Sequence, residues 1–122
     1  MNAATHQQPA PTQCAQSREV LPHAHALCVC AGYVNITPDL EARIEQGVRT
    51  YGVPLHTHNG RDNDVDDYQE RLDAAIYGTA AVMEGRGSHA VRTQRRKALE
   101  AQMHAAEQQR ILLAMIEKEQ VP

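Results

Sequence analysis

The stretch Asn63–Glu84 constrains the fold more than any other. At about 100° per residue, Val65, Tyr68, Ile76, Thr79 and Met83 all fall within roughly 40° of Leu72, a spacing that makes one apolar stripe on a helix and none on a strand. Asn63 stands where an N-cap is wanted, Asp64, Asp66 and Asp67 occupy the first turn where the helix dipole favours negative charge, and Gly85 follows as a stop. On the same wheel Asp66, Asp73 and Glu84 lie at roughly 100–120° from Leu72, with Glu70 a little further round. The acids therefore form a column beside the stripe.

A second helix is predicted over about 38–51, started by Thr37 and Pro38, striped by Leu40, Ile44, Val48 and Tyr51, and ended by Gly52 with Pro54 close behind. Gly85-Arg86-Gly87 breaks the chain again, and Ser88 caps a third helix over about 88–119. Its expected seam is Ala98, Ala101, Ala105, Leu112 and Ile116, while Ile111 to Ile116 spread apolar side chains round the whole circumference, the pattern of a helix covered by a partner. The short run Ala26-Leu27-Cys28-Val29-Cys30-Ala31 fits either a strand or a packed irregular segment. Met1 to Pro22 is rich in Ala, Gln, Pro and Thr and holds almost no large apolar residue, so it reads as a flexible arm.

The expected architecture is all-α: a bundle of three main helices (about 38–51, 63–84 and 88–119) completed by oligomerisation to a dimer or tetramer, with residues 1–24 as the arm and 25–122 as one helical domain. A chain of 122 residues has room for one core, and without Phe or Trp that core must be aliphatic and Ala-rich, which suits close helix packing. The net charge of −3 argues against nucleic acid or an anionic membrane surface as partner. No apolar run is long enough to cross a bilayer and no signal peptide is read, while three cysteines, an odd number, fit a reducing compartment; a cytoplasmic location is expected.

On the wheel of the 38–51 helix, Glu41 and Glu45 lie roughly 60° and 100° from Ile44. They are offset to the same side as the acids of the 63–84 helix, and the short loop between the two helices favours antiparallel pairing. Such a pairing could bring Glu41, Glu45, Glu70 and Asp73 together, an arrangement that repels itself unless a hard cation such as Mg²⁺ or Mn²⁺ neutralises it. The competing reading is a pair of solvated flanks, partnered by Arg43, Arg49 or Arg71.

Glu70-Arg71-Leu72-Asp73-Ala74-Ala75-Ile76-Tyr77 resembles the E-x-x-D helix of the MazG-like all-α nucleoside triphosphate pyrophosphohydrolases. The segments Tyr51-Gly52-Val53-Pro54-Leu55, Asn59-Gly60-Arg61-Asp62 and Tyr68-Gln69-Glu70 are similar to small proteins of tailed phages and prophages. The first resemblance implies Mg²⁺-dependent cleavage of a nucleotide to its monophosphate and pyrophosphate, with Glu70 and Asp73 as metal ligands. Glu41 and Glu45 stand at i, i+4 instead of the family's i, i+3, and Arg71 replaces the usual apolar residue. Geometry alone nominates those two glutamates as auxiliary ligands or as the base that activates water. Arg92, Arg95 and Lys97 are candidate phosphate contacts. The second resemblance implies a non-enzymatic accessory protein that binds a host or defence protein in the bacterial cytoplasm.

Two further constellations are weaker. His23, His25, Cys28 and Cys30, with His56 and His58 beyond them, gather soft-metal ligands, but their spacing matches none of the common zinc patterns, and free cysteines often pack as small core residues. Asp62-Asn63-Asp64-Val65-Asp66 alternates oxygens like a calcium loop, yet Asp67 replaces the required Gly and no Glu stands at the twelfth position. Acids at a helix N-terminus explain that run better.

Overall fold

The computed structural model describes residues 2–120; Met1, at the start of the expected arm, and Val121 and Pro122, at the end of the expected domain, lie outside them. The described residues form four α-helices, α1 (Leu21–Ala31), α2 (Thr37–Tyr51), α3 (Asn63–Glu84) and α4 (His89–Gln120), and no β-structure beyond one isolated bridge. Contacts divide the chain into two compact units, Pro9–Arg61 and Met1–Gln8 with Asp62–Pro122. This division differs from the arm-and-domain boundary at residue 24 read from the sequence.

In the unit Pro9–Arg61, α1 packs against α2. The run at 26–31, expected as strand or irregular chain, is instead the end of α1. Pro22 sits in its first turn and Gly32, at φ 79°, closes it by donating its N–H to the Cys28 and Val29 carbonyls. The helical signals lie at the two ends of the segment, outside the apolar run that prompted the other readings. Thr37 opens α2 but does not cap it; its hydroxyl donates back to the Tyr33 carbonyl at 3.0 Å. Leu40, Ile44 and Val48 are half-buried as their spacing predicts, whereas Tyr51 at the helix end is exposed. Residues 12–20 run beside 55–59, tied by Thr12 N–H to the Asn59 carbonyl at 2.7 Å, Thr57 N–H to Arg18 at 2.8 Å and Val20 N–H to Leu55 at 3.0 Å. Main-chain pairing, which needs no large side chain, orders a segment whose composition reads as an arm.

The other unit is an antiparallel hairpin of α3 and α4, joined through Gly85 to Ser88. Asp62, one residue before the expected cap Asn63, takes the N-cap role: its carboxylate accepts from the N–H groups of Asp64 at 3.0 Å and Val65 at 3.2 Å. Ser88 caps α4 as predicted, accepting from Val91 N–H at 3.2 Å. The face of α3 that packs is a seven-residue repeat, Val65, Tyr68, Leu72, Ala75, Thr79 and Val82, all buried or half-buried. Ile76 and Met83, expected in the stripe, are 66% and 81% exposed. Two long helices stay in contact along a 3.5-residue repeat, so the seam drifts off the 3.6-residue wheel after Leu72.

The same drift corrects the seam of α4. Leu99, Gln102, Ala106, Gln109, Leu113 and Ile116 turn inward, while Ala98, Ala101 and Leu112 are exposed and Ala105 stays at the margin. Two glutamines thus occupy seam positions that an apolar count passes over. Gln109 is buried because its Nε2 donates to the Asp64 carbonyl at 2.9 Å. Val65, 1% exposed, Leu113 and Ala3 form the best buried cluster, with Tyr68 packed against it.

Candidate functional site

Glu70 and Asp73 lie on the solvent-side flank of α3, three residues and so roughly 60° apart on the helix. Both are exposed, and neither carboxylate has a hydrogen bond or ion pair among the described residues. Glu41 and Glu45 belong to the other unit, on α2. Glu41 Oε1 is 3.0 Å from His25 Nε2, and Glu45 Oε2 is 3.6 Å from Arg49 one turn on. On α3, Arg71 pairs with Asp67 at 3.1 Å. Exposed i, i+4 pairs of this kind contribute about 0.3–0.5 kcal/mol each, enough to bias a side chain and too little to hold a site together. Among the described residues no group of three or more His, Cys, Asp or Glu side chains is placed to hold a metal ion.

Asp73 lines an open depression of about 550 Å³ together with Gln69, Leu72 and Ile76 of α3, and the segment Ala4–Gln8 supplies the rest of its wall. That wall is held by a compact turn. Asn2 accepts on its carbonyl from the N–H groups of Thr5 and His6, at 3.2 and 2.9 Å, and on its side chain from Ala4 N–H at 3.0 Å. The turn is anchored to α3 by Gln69, whose Nε2 donates to the carbonyls of Ala3 at 3.0 Å and His6 at 2.8 Å. Gln8 completes the attachment by bonding both backbone groups of Asp62, donating to its carbonyl at 2.6 Å and accepting from its N–H at 3.2 Å. Side-chain amides, whose placement no periodicity reveals, build this feature.

Of the basic candidates, Arg92 and Lys97 are exposed, and Arg95 donates to the Arg86 carbonyl at 2.8 Å, tying α4 to the turn before it. Gly78 of α3 lies beside Leu99 and Gln102. By the 1.5 Å rise per residue, the level of Arg95 is therefore about 15 Å along the hairpin from that of Asp73. The helical state of α1 separates the soft-metal ligands: His25 and Cys28 fall on one side, His23 and Cys30 on the other. His56 Nδ1 is engaged by the Pro54 carbonyl at 2.7 Å.

Sequence reasoning passed over Cys14. Its backbone N–H donates to Ser17 Oγ at 2.9 Å, and Ser17 Oγ lies 3.7 Å from Cys14 Sγ and 3.1 Å from the His58 carbonyl. The backbone N–H of Gln16, followed by the Ser17 hydroxyl, favours the thiolate and holds this exposed thiol below the usual cysteine range. The signal available in the sequence was the serine three residues after the cysteine, which fits a side-chain-closed turn.

Neither protein-family models, nor curated proteins, nor solved structures give a match to this chain.

Proposed function

We propose that the protein is a non-enzymatic, self-associating helical accessory protein that binds a protein partner through the α3–α4 hairpin. The observation that supports this reading is the number of large apolar side chains which the hairpin leaves in water: Ile76, Tyr77 and Met83 on α3 and Met103, Ile111 and Met115 on α4. Methionine is over-used where one surface must fit varied partners. Host or defence proteins of a bacterial cell, the partner class implied by the phage-type segments, belong to this proposal. The experiment is to replace Ile76 and Met83 by lysine and to measure mass by light scattering and partner capture from bacterial lysate. Loss of both with helical circular dichroism retained is expected; unchanged association and capture would overturn the reading.

A second reading, the Mg²⁺- or Mn²⁺-dependent pyrophosphohydrolase, is favoured by one observation: Asp73 stands unpaired in the lining of the depression, with Glu70 on the same flank. Mg²⁺ binds through one or two carboxylates when substrate phosphates complete its shell, so this donor pair fits the ion only together with a nucleotide. In that reading Glu41 and Glu45 would supply a base from outside the hairpin, and Arg92, Arg95 or Lys97 would meet the phosphates. Pyrophosphate release from a panel of nucleoside triphosphates, lost in Asp73→Ala, is the result that would establish it.

A further inference from the structure

We infer that two copies of this protein meet through one edge of the α3–α4 hairpin, with Asp73 of each copy against Arg96 of the other and Ile76 and Met103 at the centre. The edge follows from the repeat that packs the two helices. Gln69, Ile76 and Met83 each stand one residue past a seam position of α3, and Arg96, Met103 and Arg110 each stand one past a seam position of α4, the repeat extending back to half-buried Arg95. In an antiparallel pair a given offset from the seam points to the same side on both helices, so the two sets share one edge. Gly78 lies beside Leu99 and Gln102, which puts Met103 level with Ile76 and Arg96 level with Met83. Ile76, Met83 and Met103 are 66%, 81% and 49% exposed, so both helices leave apolar side chains uncovered here. Asp73, one turn before Ile76, borders the same edge and lines the depression with it.

Charge selects a second copy as the occupant of this edge. Gly85 to Leu99, at the tip, carries Arg86, Arg92, Arg95, Arg96 and Lys97 and no acid, whereas Asn63 to Asp73 carries five acids and one arginine. Arg86 and Arg95 are engaged within the tip, by Glu84 at 3.2 Å and by the Arg86 carbonyl at 2.8 Å, while Asp73 and Arg96 have no partner among the described residues. They cannot serve each other within one chain, because their levels lie about 14 Å apart along two continuous helices. A two-fold axis through the midpoint between them, at the level of Gly78, exchanges the two positions and brings Asp73 of each copy to Arg96 of the other. Ile76 and Met103 lie within about 4 Å of that level, so the apolar side chains of both copies meet between two ion pairs. An apolar centre inside a polar rim is the usual build of a protein interface. The depression beside Asp73, whose described lining holds no lysine or arginine, gives the guanidinium room.

The test is a charge-reversal cycle on the full chain, at two exposed positions outside the helix seam. By light scattering over a dilution series the wild type is expected near twice the 13.5 kDa of one chain. Asp73→Arg and Arg96→Asp each set like charges against each other twice in the dimer, and each is expected to weaken it about tenfold or more with helical circular dichroism retained. Mixed, the two variants are expected to pair with each other at near wild-type strength, and the double variant Asp73→Arg/Arg96→Asp to pair with itself. A wild type of single-chain mass, single reversals as dimeric as the wild type, or a mixture or double variant that stays at single-chain mass would overturn the inference. Arg96→Asp that stays dimeric but loses capture of a protein or nucleic acid from lysate would give the basic tip to a foreign partner and overturn it too. The pairing rests on the self-association proposed above, and the two can fail separately. Dimers lost in Ile76→Lys/Met83→Lys but kept in both reversals would sink this pairing and leave association through the apolar side chains in place.

Discussion

Cys14 carries an ionisation that is displaced by its surroundings in a resolved direction, and its cause is local hydrogen bonding to the thiolate. Unfolding removes those donors, so at a given pH the folded chain holds more thiolate at this position, and the thiolate is the species that alkylates. Iodoacetamide labelling of Cys14, followed by peptide mass spectrometry, is therefore expected to reach half its maximal rate at a lower pH in the folded chain than in urea. Ser17→Ala should move the folded midpoint upward, because one of the two main donors is gone. Equal midpoints in buffer and urea would refute the assignment. Val65 is the residue on which stability turns. Its truncation to alanine empties the centre of the best buried cluster and should cost about 2 kcal/mol, read as a fall of several degrees in Tm. Asp62→Ala removes two N-terminal bonds of α3 and should cost about 1 kcal/mol.

At the scale of elements, the seam of the α3–α4 hairpin contains a polar atom that works against it. Gln102 Oε1 is buried with no hydrogen-bond partner, packed over Gly78 where the absence of a side chain admits it. A buried acceptor left unmatched costs about 1–3 kcal/mol, so Gln102→Leu is expected to raise Tm. Gln109→Leu should not, since Gln109 bonds the Asp64 carbonyl. A Gln102→Leu variant that melts lower than wild type would mean that the amide sets the register of the two helices. These positions also show what the sequence could and could not reveal. Helix ends were legible because Pro38, Gly52, Gly85 and Ser88 act within one turn of chain. The seam was legible only near Leu72, because a one-helix wheel cannot know that a partner helix will hold the contact to a 3.5-residue repeat. At the candidate site Asp73 was visible as a periodic acid, whereas the turn facing it rests on Asn2, Gln8 and Gln69, whose bonds join residues up to 66 positions apart.

For the whole molecule, the two readings of function make opposite predictions about divalent ions. Glu41 and Glu45 lie in one unit and Glu70 and Asp73 in the other, and among the described residues no three acids, histidines or cysteines are placed to hold one ion. Two carboxylates on one helix flank bind a hydrated ion weakly, and weak binding contributes little: the gain is RT ln(1 + [M]/Kd), which reaches about 2.7 kcal/mol only when the ion exceeds its Kd a hundredfold. In the binding-protein reading, millimolar Mg²⁺ or Mn²⁺ should therefore leave Tm within roughly a degree of its value in chelator, since a rise of several degrees needs a gain of about 1 kcal/mol or more. Asp73→Asn should be as indifferent to the ions as the wild type. Four converging carboxylates would behave otherwise. Their mutual repulsion would weaken the ion-free protein, an ion would restore it, and Asp73→Asn would raise the ion-free Tm while removing the response to metal. A metal-dependent rise that Asp73→Asn abolishes would thus show that Asp73 holds an ion in the working protein, and the pyrophosphohydrolase reading would displace the one proposed.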